Sequence, residues 1–233
     1  MIDFIILTIL ALCILAGYYR GVLYSAISLG ISAVAFILAL LLCPLLSRGI
    51  QQQKALYDMM LYYFEGYEYI NKTSVELVHV PVDQVDAATP EEVVQRAEMP
   101  RPFDRAVRKN VRSQAYRSRE IYTLGDYFNQ TLVDVVLNIL SLLILFALFR
   151  MLLGFVLRLI DYGKEGLPVL RHLDIPFSCG IGLLHGILLM YIVFMLCPLM
   201  LAVVPRTYTF LQNSPLGMFF YKSNLLLQLV PTL

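Results

Sequence analysis

Residues 4–46, FIILTILALCILAGYYRGVLYSAISLGISAVAFILALLLCPLL, are a run of 43 residues with a single charge, Arg20. As one helix the run would measure about 65 Å at about 1.5 Å per residue, twice the roughly 30 Å hydrocarbon core of a bilayer. One crossing cannot hold it, so the chain must turn. The turn belongs at Tyr18-Tyr19-Arg20-Gly21, where two tyrosines suit the interface and the charge can sit among headgroups. The reading is a tight helical hairpin of two spans, residues 4–19 and 22–46, ended by Ser47-Arg48-Gly49. Asp3 stands where a signal peptide would be basic, and no A-x-A site follows the apolar run, so the first span is expected to be retained.

Working outward, a third apolar run covers residues 132–149 and continues past Arg150 to residue 159, where Arg150, Gly154, Arg158 and Asp161 recur at near-helical spacing. That continuation is expected to leave the core and bend along the interface. A fourth run covers residues 177–204, with Pro198 as a kink site. The composition agrees: 59% of the 233 residues are hydrophobic and 15% charged, against roughly 25% charge in an ordinary soluble domain. Of the 35 charged residues, 23 fall between Arg48 and Asp126. This asymmetry excludes a soluble globular protein, a disordered chain and a disulfide scaffold, and the net charge of +1 excludes a polyanion binder on bulk charge. The expected fold class is an all-α membrane protein with four transmembrane helices and a long charged loop between helices 2 and 3. Its segments are the hairpin 1–47, the loop 48–130, helices 3 and 4 with a basic connection in 131–204, and an apolar interfacial tail in 205–233. Both termini then lie on one side. Arg20, Arg150, Arg158, Lys164 and Arg171 in the short connections argue that those connections face the cytoplasm, which puts the termini and the loop outside it. Arg112, Arg117 and Arg119 near helix 3 pull the other way.

Within the loop, residues 55–63 read as a short aromatic amphipathic helix and residues 75–85 as a strand or extended segment. Thr89-Pro90-Glu91-Glu92 reads as a helix start with Thr89 as N-cap. Phe103, Val107, Val111 and Ala115 recur every four residues beside Arg105, Arg108, Lys109 and Arg112. This basic amphipathic helix would either lie on anionic headgroups or pack against the loop itself. The tail, broken by Pro215, Gly217 and Asn224, is too interrupted for a fifth span.

The main polar feature is a row at the start of helix 3: Thr131, Asp134, Asn138 and Ser141, spaced to share one helix face. Two readings stand. The row is a polar track for a proton, ion or solute, with His185 of helix 4 as a relay partner of Asp134 or Asn138. Otherwise it is packing glue, with Asp134 at headgroup depth and His185 bonded to a neighbour. Gly182 and Gly186, with Ser178 one turn earlier, make a small-residue stripe for close helix contact, within the chain or between copies; Gly17 and Gly21 straddle the turn and carry less weight. Cys13, Cys43, Cys179 and Cys197 sit in apolar runs and form no CxxC, so no metal site is expected. No motif for hydrolase, kinase, dinucleotide or metalloprotease chemistry occurs, and no catalytic residue, cofactor or nucleic-acid partner is expected.

Three pieces together carry a resemblance: Asp3 with Gly17-Tyr18-Tyr19-Arg20-Gly21; Leu170-Arg171-His172-Leu173-Asp174-Ile175-Pro176 followed by Gly180-Ile181-Gly182-Leu183-Leu184-His185-Gly186-Ile187; and Asn213-Ser214-Pro215-Leu216 through Tyr221-Lys222-Ser223-Asn224. Over residues 1–47 and 131–225 the chain resembles the CvpA (colicin V production) family of bacterial inner-membrane proteins. Its loop is longer and more charged than the family's, and His185 stands where a basic residue is common there. The resemblance implies a four-span protein of the bacterial cytoplasmic membrane, with a role in toxin (colicin V) production or export and in cell-envelope maintenance. It supplies no catalytic residues. The partners to expect are the lipid bilayer and either further copies of the chain or other envelope proteins. Against this accessory role stands a small oligomeric channel or transporter subunit using the helix 3 row, and, more weakly, a sensor whose loop binds a ligand.

Overall fold

The computed structural model describes residues 2–64, 66, 68–71, 74–86, 88–159, 174–203 and 207–231. The basic connection that carries Lys164 and Arg171, and most of the Leu170–Pro176 piece, lie outside the described residues. Among those described the chain is helical, with no strand and one isolated bridge, Pro81 to Thr123. Three helices are long and apolar enough to cross a membrane: α1 (Ile2–Gln51), α6 (Leu124–Leu159), and the pair α7 (Asp174–Phe194) and α8 (Leu196–Val203), which share one apolar stretch. Between and after them come α2 (Lys54–Tyr63), α3 (Glu68–Asn71), α4 (Thr89–Arg96), α5 (Phe103–Arg112), α9 (Thr207–Gln212), α10 (Pro215–Lys222) and α11 (Leu225–Leu229).

The contacts divide the chain into two compact units that cut across the segments expected from sequence. The first holds residues 1–42, 142–197 and 207–226; the second holds 43–141, 198–206 and 227–233.

In the first unit α1 breaks at Gly21, whose φ of 76° and ψ of 170° lie outside the helical region. A positive φ costs a side-chain-bearing residue strain that glycine escapes. Contacts show that the arms on either side run in opposite directions. Gly17 meets Ser178 and Gly182, and Cys13 meets Gly182 and Gly186, so the first arm descends as α7 rises. Ser25 Oγ lies 3.5 Å from the Gly17 carbonyl oxygen, though eight residues of straight helix would separate them by about 12 Å. Ser32 then meets His185, so the second arm runs along α7. The reversal falls within Tyr18–Gly21, as the sequence argues. The second arm, however, continues to Gln51, through the expected stop at Ser47-Arg48-Gly49. Nothing there forbids helix, since a solitary glycine costs only about 1 kcal/mol.

The α7 helix ends at Phe194, four residues before Pro198. Proline's ring clashes with the carbonyl four residues back and its nitrogen cannot donate, so the break lies one turn ahead of the proline itself.

In the second unit α6 begins at Leu124, well before the expected apolar start. Thr123 fixes it there: its Oγ1 accepts from the Asp126 backbone N–H (3.2 Å) and donates to Asp126 Oδ2 (2.6 Å), a local capping pair. Residues 75–85 form no strand. They make two short 3-10 turns, Val75–His79 and Val82–Gln84, and among the described residues they pair only through the isolated bridge from Pro81 to Thr123. The helix at Thr89 takes Ala88 as N-cap with no side-chain bond, one residue earlier than expected. The apolar face of α5 (Phe103, Ala106, Val107, Val111) is buried in protein, which favours packing on the loop over lying on headgroups.

Candidate functional site

The row on α6 is brought into a polar cluster in the second unit. Thr131, Asp134, Asn138 and Ser141 are all buried, with Asp134 only 2% exposed. Three elements supply its partners. Gln51, last residue of α1, donates from Nε2 to Asp134 Oδ1 (3.0 Å), and Tyr57 on α2 donates its hydroxyl to the same oxygen (2.8 Å). Gln130 Nε2 in turn donates to the Tyr57 hydroxyl oxygen. Arg119, on the turn before α6, brings Nη1 to 3.9 Å from Asp134 Oδ2 and donates from Nη2 to Gln51 Oε1 (3.4 Å), with its guanidinium 5.7 Å from the Tyr116 ring centroid. Beside this lies Asn110 of α5, whose Nδ2 reaches the hydroxyl oxygens of Tyr116 (3.0 Å) and Thr131 (3.2 Å).

The electrostatics follow from burial. Burial first, then the negative charge of Asp134, push the Tyr57 and Tyr116 phenols well above their ordinary range, so both remain neutral donors at physiological pH. Asp134 accepts two hydrogen bonds at one oxygen. Among the described residues its other oxygen, Oδ2, has no hydrogen-bond partner and faces the Arg119 guanidinium at 3.9 Å, and Asn110 Oδ1 and Ser141 Oγ also lack one. One turn further on, Asn138 Nδ2 donates to the Pro231 carbonyl oxygen (2.7 Å), and Cys43 Sγ donates to the Asn138 carbonyl oxygen (3.2 Å).

His185 has a partner within its own unit. It lies in the first unit, with Nε2 3.2 Å from the Ser32 hydroxyl oxygen. The small residues Ser178, Gly182 and Gly186 pack against the first arm of α1. A Cβ on Gly182 would come 2.6 Å from the Cys13 carbonyl oxygen, and one on Gly17 would collide with the carbonyl oxygen of Ser178. Gly17, discounted from sequence because it borders the turn, is the counterpart of that stripe. The stripe therefore serves contact within the chain.

Asp3 and the tail piece meet as well. Asp3 Oδ1 accepts from Ser214 Oγ (2.7 Å) and from the Leu216 backbone N–H (2.9 Å), while Ser214 Oγ accepts from the Gly217 N–H (3.0 Å). This is an N-cap of α10 completed by a carboxylate from the other end of the chain. Sequence reading missed Tyr57, Gln51, Arg119 and Ser32 because each is an ordinary polar residue until folding brings it to a buried partner. Among the described residues no group of three His, Cys, Asp or Glu side chains could hold a metal ion.

No curated protein and no solved structure matches the chain. A family model described as colicin V production protein matches residues 2–69, which include α1, α2 and the start of α3. The match takes in about the first quarter of the loop 48–130, which the resemblance read from sequence did not cover, and it does not extend to the pieces beyond residue 131. Over residues 2–69 the chain is thus similar to the colicin V production family, and three helices among the described residues are long and apolar enough to cross a membrane, as in a multi-pass membrane protein.

Proposed function

We propose that the protein is a non-enzymatic accessory protein of the bacterial cytoplasmic membrane that serves toxin (colicin V) production or export and envelope maintenance through contacts of its helices and loop. Its spans are the two arms of α1, the later part of α6, and α7 with α8. Both termini and the segment between α1 and α6 face away from the cytoplasm. One observation supports an organising role for the polar row over a solute path: the side chains of Thr131, Asp134 and Asn138 each bond to protein groups, from Asn110, from Gln51 and Tyr57, and to Pro231. The test is a deletion strain assayed for toxin export and envelope stress, complemented with Asp134→Asn. Complementation at normal protein level is the expected result, and loss of function at that level would overturn it. A cysteine introduced near Asp86 and exposed to an impermeant reagent on intact cells tests the orientation, with labelling expected.

A second reading, a small oligomeric channel or transporter subunit, is favoured by the acceptor atoms left open at Asp134 Oδ2, Asn110 Oδ1 and Ser141 Oγ. It requires flux in reconstituted vesicles that disappears on changing Asp134.

A further inference from the structure

In the first unit, Arg150 of α6 and Arg20 at the bend of α1 both lie against the second arm of α1, and no salt bridge to either is present among the described residues. Arg150 Nη2 donates to Ser28 Oγ on the second arm of α1 (3.0 Å), which uses one of five guanidinium N–H groups. The next turn of α6 presents Gly154, which has no side chain to lay over that half-buried guanidinium; a Cβ there would stand 3.5 Å from Nη1. Arg20 is exposed and lies 5.5 Å over the ring of Tyr24, which stands one helical turn before Ser28 on the same face of the second arm. Among the described residues neither arginine makes an ion pair; the pairs present are Arg96–Glu92, Arg112–Glu91 and Arg119–Asp134.

The surroundings are apolar and open. Met151, Leu152 and Phe155 on α6 are 67%, 49% and 60% exposed, as suits lipid-facing side chains. Tyr18 and Tyr19, also exposed, mark the bend of α1 as the level of the headgroups. Two like charges beside hydrocarbon repel each other in a medium that screens poorly, and both need a counter-charge. Guanidinium forks match the oxygens of a phosphate, and the Ser28 hydroxyl can donate alongside them.

We propose that Arg20, Arg150 and Ser28 bind a phosphate group, and that its source is the headgroup of an anionic phospholipid at the bend of α1. The experiment takes the full chain in detergent, adds phosphatidylglycerol, phosphatidylcholine or inorganic phosphate, and follows thermal unfolding together with lipid retention by native mass spectrometry. Phosphatidylglycerol is expected to be retained and to raise the melting temperature where phosphatidylcholine does not. Retention should weaken about tenfold with Arg20→Gln and again with Arg150→Gln, the loss of one charge-assisted contact each. Arg150→Lys, which keeps the charge and loses the fork, should fall between. Arg20 is exposed, so its variant keeps the test valid should Arg150→Gln fail to fold. Equal retention of the two lipids, or wild-type retention by Arg20→Gln, would overturn the proposal. If inorganic phosphate protects as well as phosphatidylglycerol and displaces it, the phosphate chemistry stands and the lipid source falls.

Discussion

The first unit and the second unit are both built from helices, yet they satisfy their polar groups in different ways. In the first, small residues carry the packing: Gly17, Gly182 and Gly186 let backbones approach, and Ser25, Ser28 and Ser32 are buried hydroxyls along one arm. Large apolar side chains such as Phe4, Leu12 and Leu41 point outward, 76%, 59% and 71% exposed. In the second, large side chains fill the interior: Phe103, Tyr116, Tyr127 and Phe128 are almost fully buried. Where lipid surrounds a helix there is no hydrophobic gain from burying leucine in protein, so close backbone contact and hydroxyl bonds hold the bundle. Where water is the alternative, burial of aromatic area supplies the drive. The α6 helix belongs to both units. At 36 residues it is about 54 Å long, more than a membrane needs, and its most apolar window is 61% buried, against 28% for α1.

The sharpest way to break this comparison is to enlarge the glycines of the first unit. A side chain on Gly182 meets the Cys13 backbone, which cannot rotate aside, so Gly182→Leu is expected to cost about 3 kcal/mol or more and to deplete the protein from the membrane fraction. Gly180→Leu, one turn-face away with nothing within 4 Å of its Cβ position, should leave level and melting temperature unchanged. Equal losses at the two positions would mean that close contact with the Cys13 backbone does not explain the stripe.

In the second unit the corresponding test is Asp134→Leu. It leaves the Tyr57 hydroxyl and the Gln51 amide without their acceptor and removes the charge facing Arg119, an expected loss of about 2–4 kcal/mol by denaturation in detergent. Asp134→Asn retains an acceptor oxygen and should cost less, about 1–2 kcal/mol. If both variants keep full stability, the cluster is not a packing centre.

How much of this could be read from sequence differs between the units. The reversal at Gly21 was legible because it follows from a length, 43 apolar residues against one membrane thickness. The shared face of Thr131, Asp134, Asn138 and Ser141 was legible because it follows from helical period. What closes the Asp134 site was not: Gln51, Tyr57 and Arg119 come from 83, 77 and 15 residues earlier in the chain, and no local pattern marks them as partners. The end of α1 was misplaced for a related reason. Ser47-Arg48-Gly49 is a weak local stop, and the helix continues to Gln51, whose side chain bonds Asp134.

Alkaline pH separates the units in a further way, since the tyrosines raised by burial and by the Asp134 charge, Tyr57 and Tyr116, both lie in the second. In the unfolded chain a tyrosine ionises near about pH 10, while in the fold both stay protonated to higher pH. Above that point the unfolded state has released protons that the folded state still holds. Stability is therefore fully present below about pH 10 and is lost as pH rises beyond it, by about 1.4 kcal/mol per pH unit for each tyrosine. Tyr57→Phe should cost about 1 kcal/mol at neutral pH, through the lost bond to Asp134, and should reduce the alkaline slope by one proton's worth. An unchanged slope would show that Tyr57 is not held neutral by its surroundings.

The smallest expected effect lies where the first unit joins its two ends. Asp3 and Ser214 are 211 residues apart, and each serves the first turn of α10, where backbone N–H groups have no helical acceptor. Ser214→Ala removes the oxygen that receives the Gly217 N–H, an expected loss of about 1 kcal/mol. Asp3→Asn keeps an oxygen for Ser214 and for the Leu216 N–H but removes the negative charge at the positive helix end, an expected loss smaller than that of Ser214→Ala. Both substitutions act on the same turn, so the double variant should cost less than the sum. A double-mutant cycle on melting temperature in detergent measures that shortfall. Strict additivity would mean that the two residues act separately, and that α10 is held against the first arm of α1 by apolar contact rather than by this shared cap.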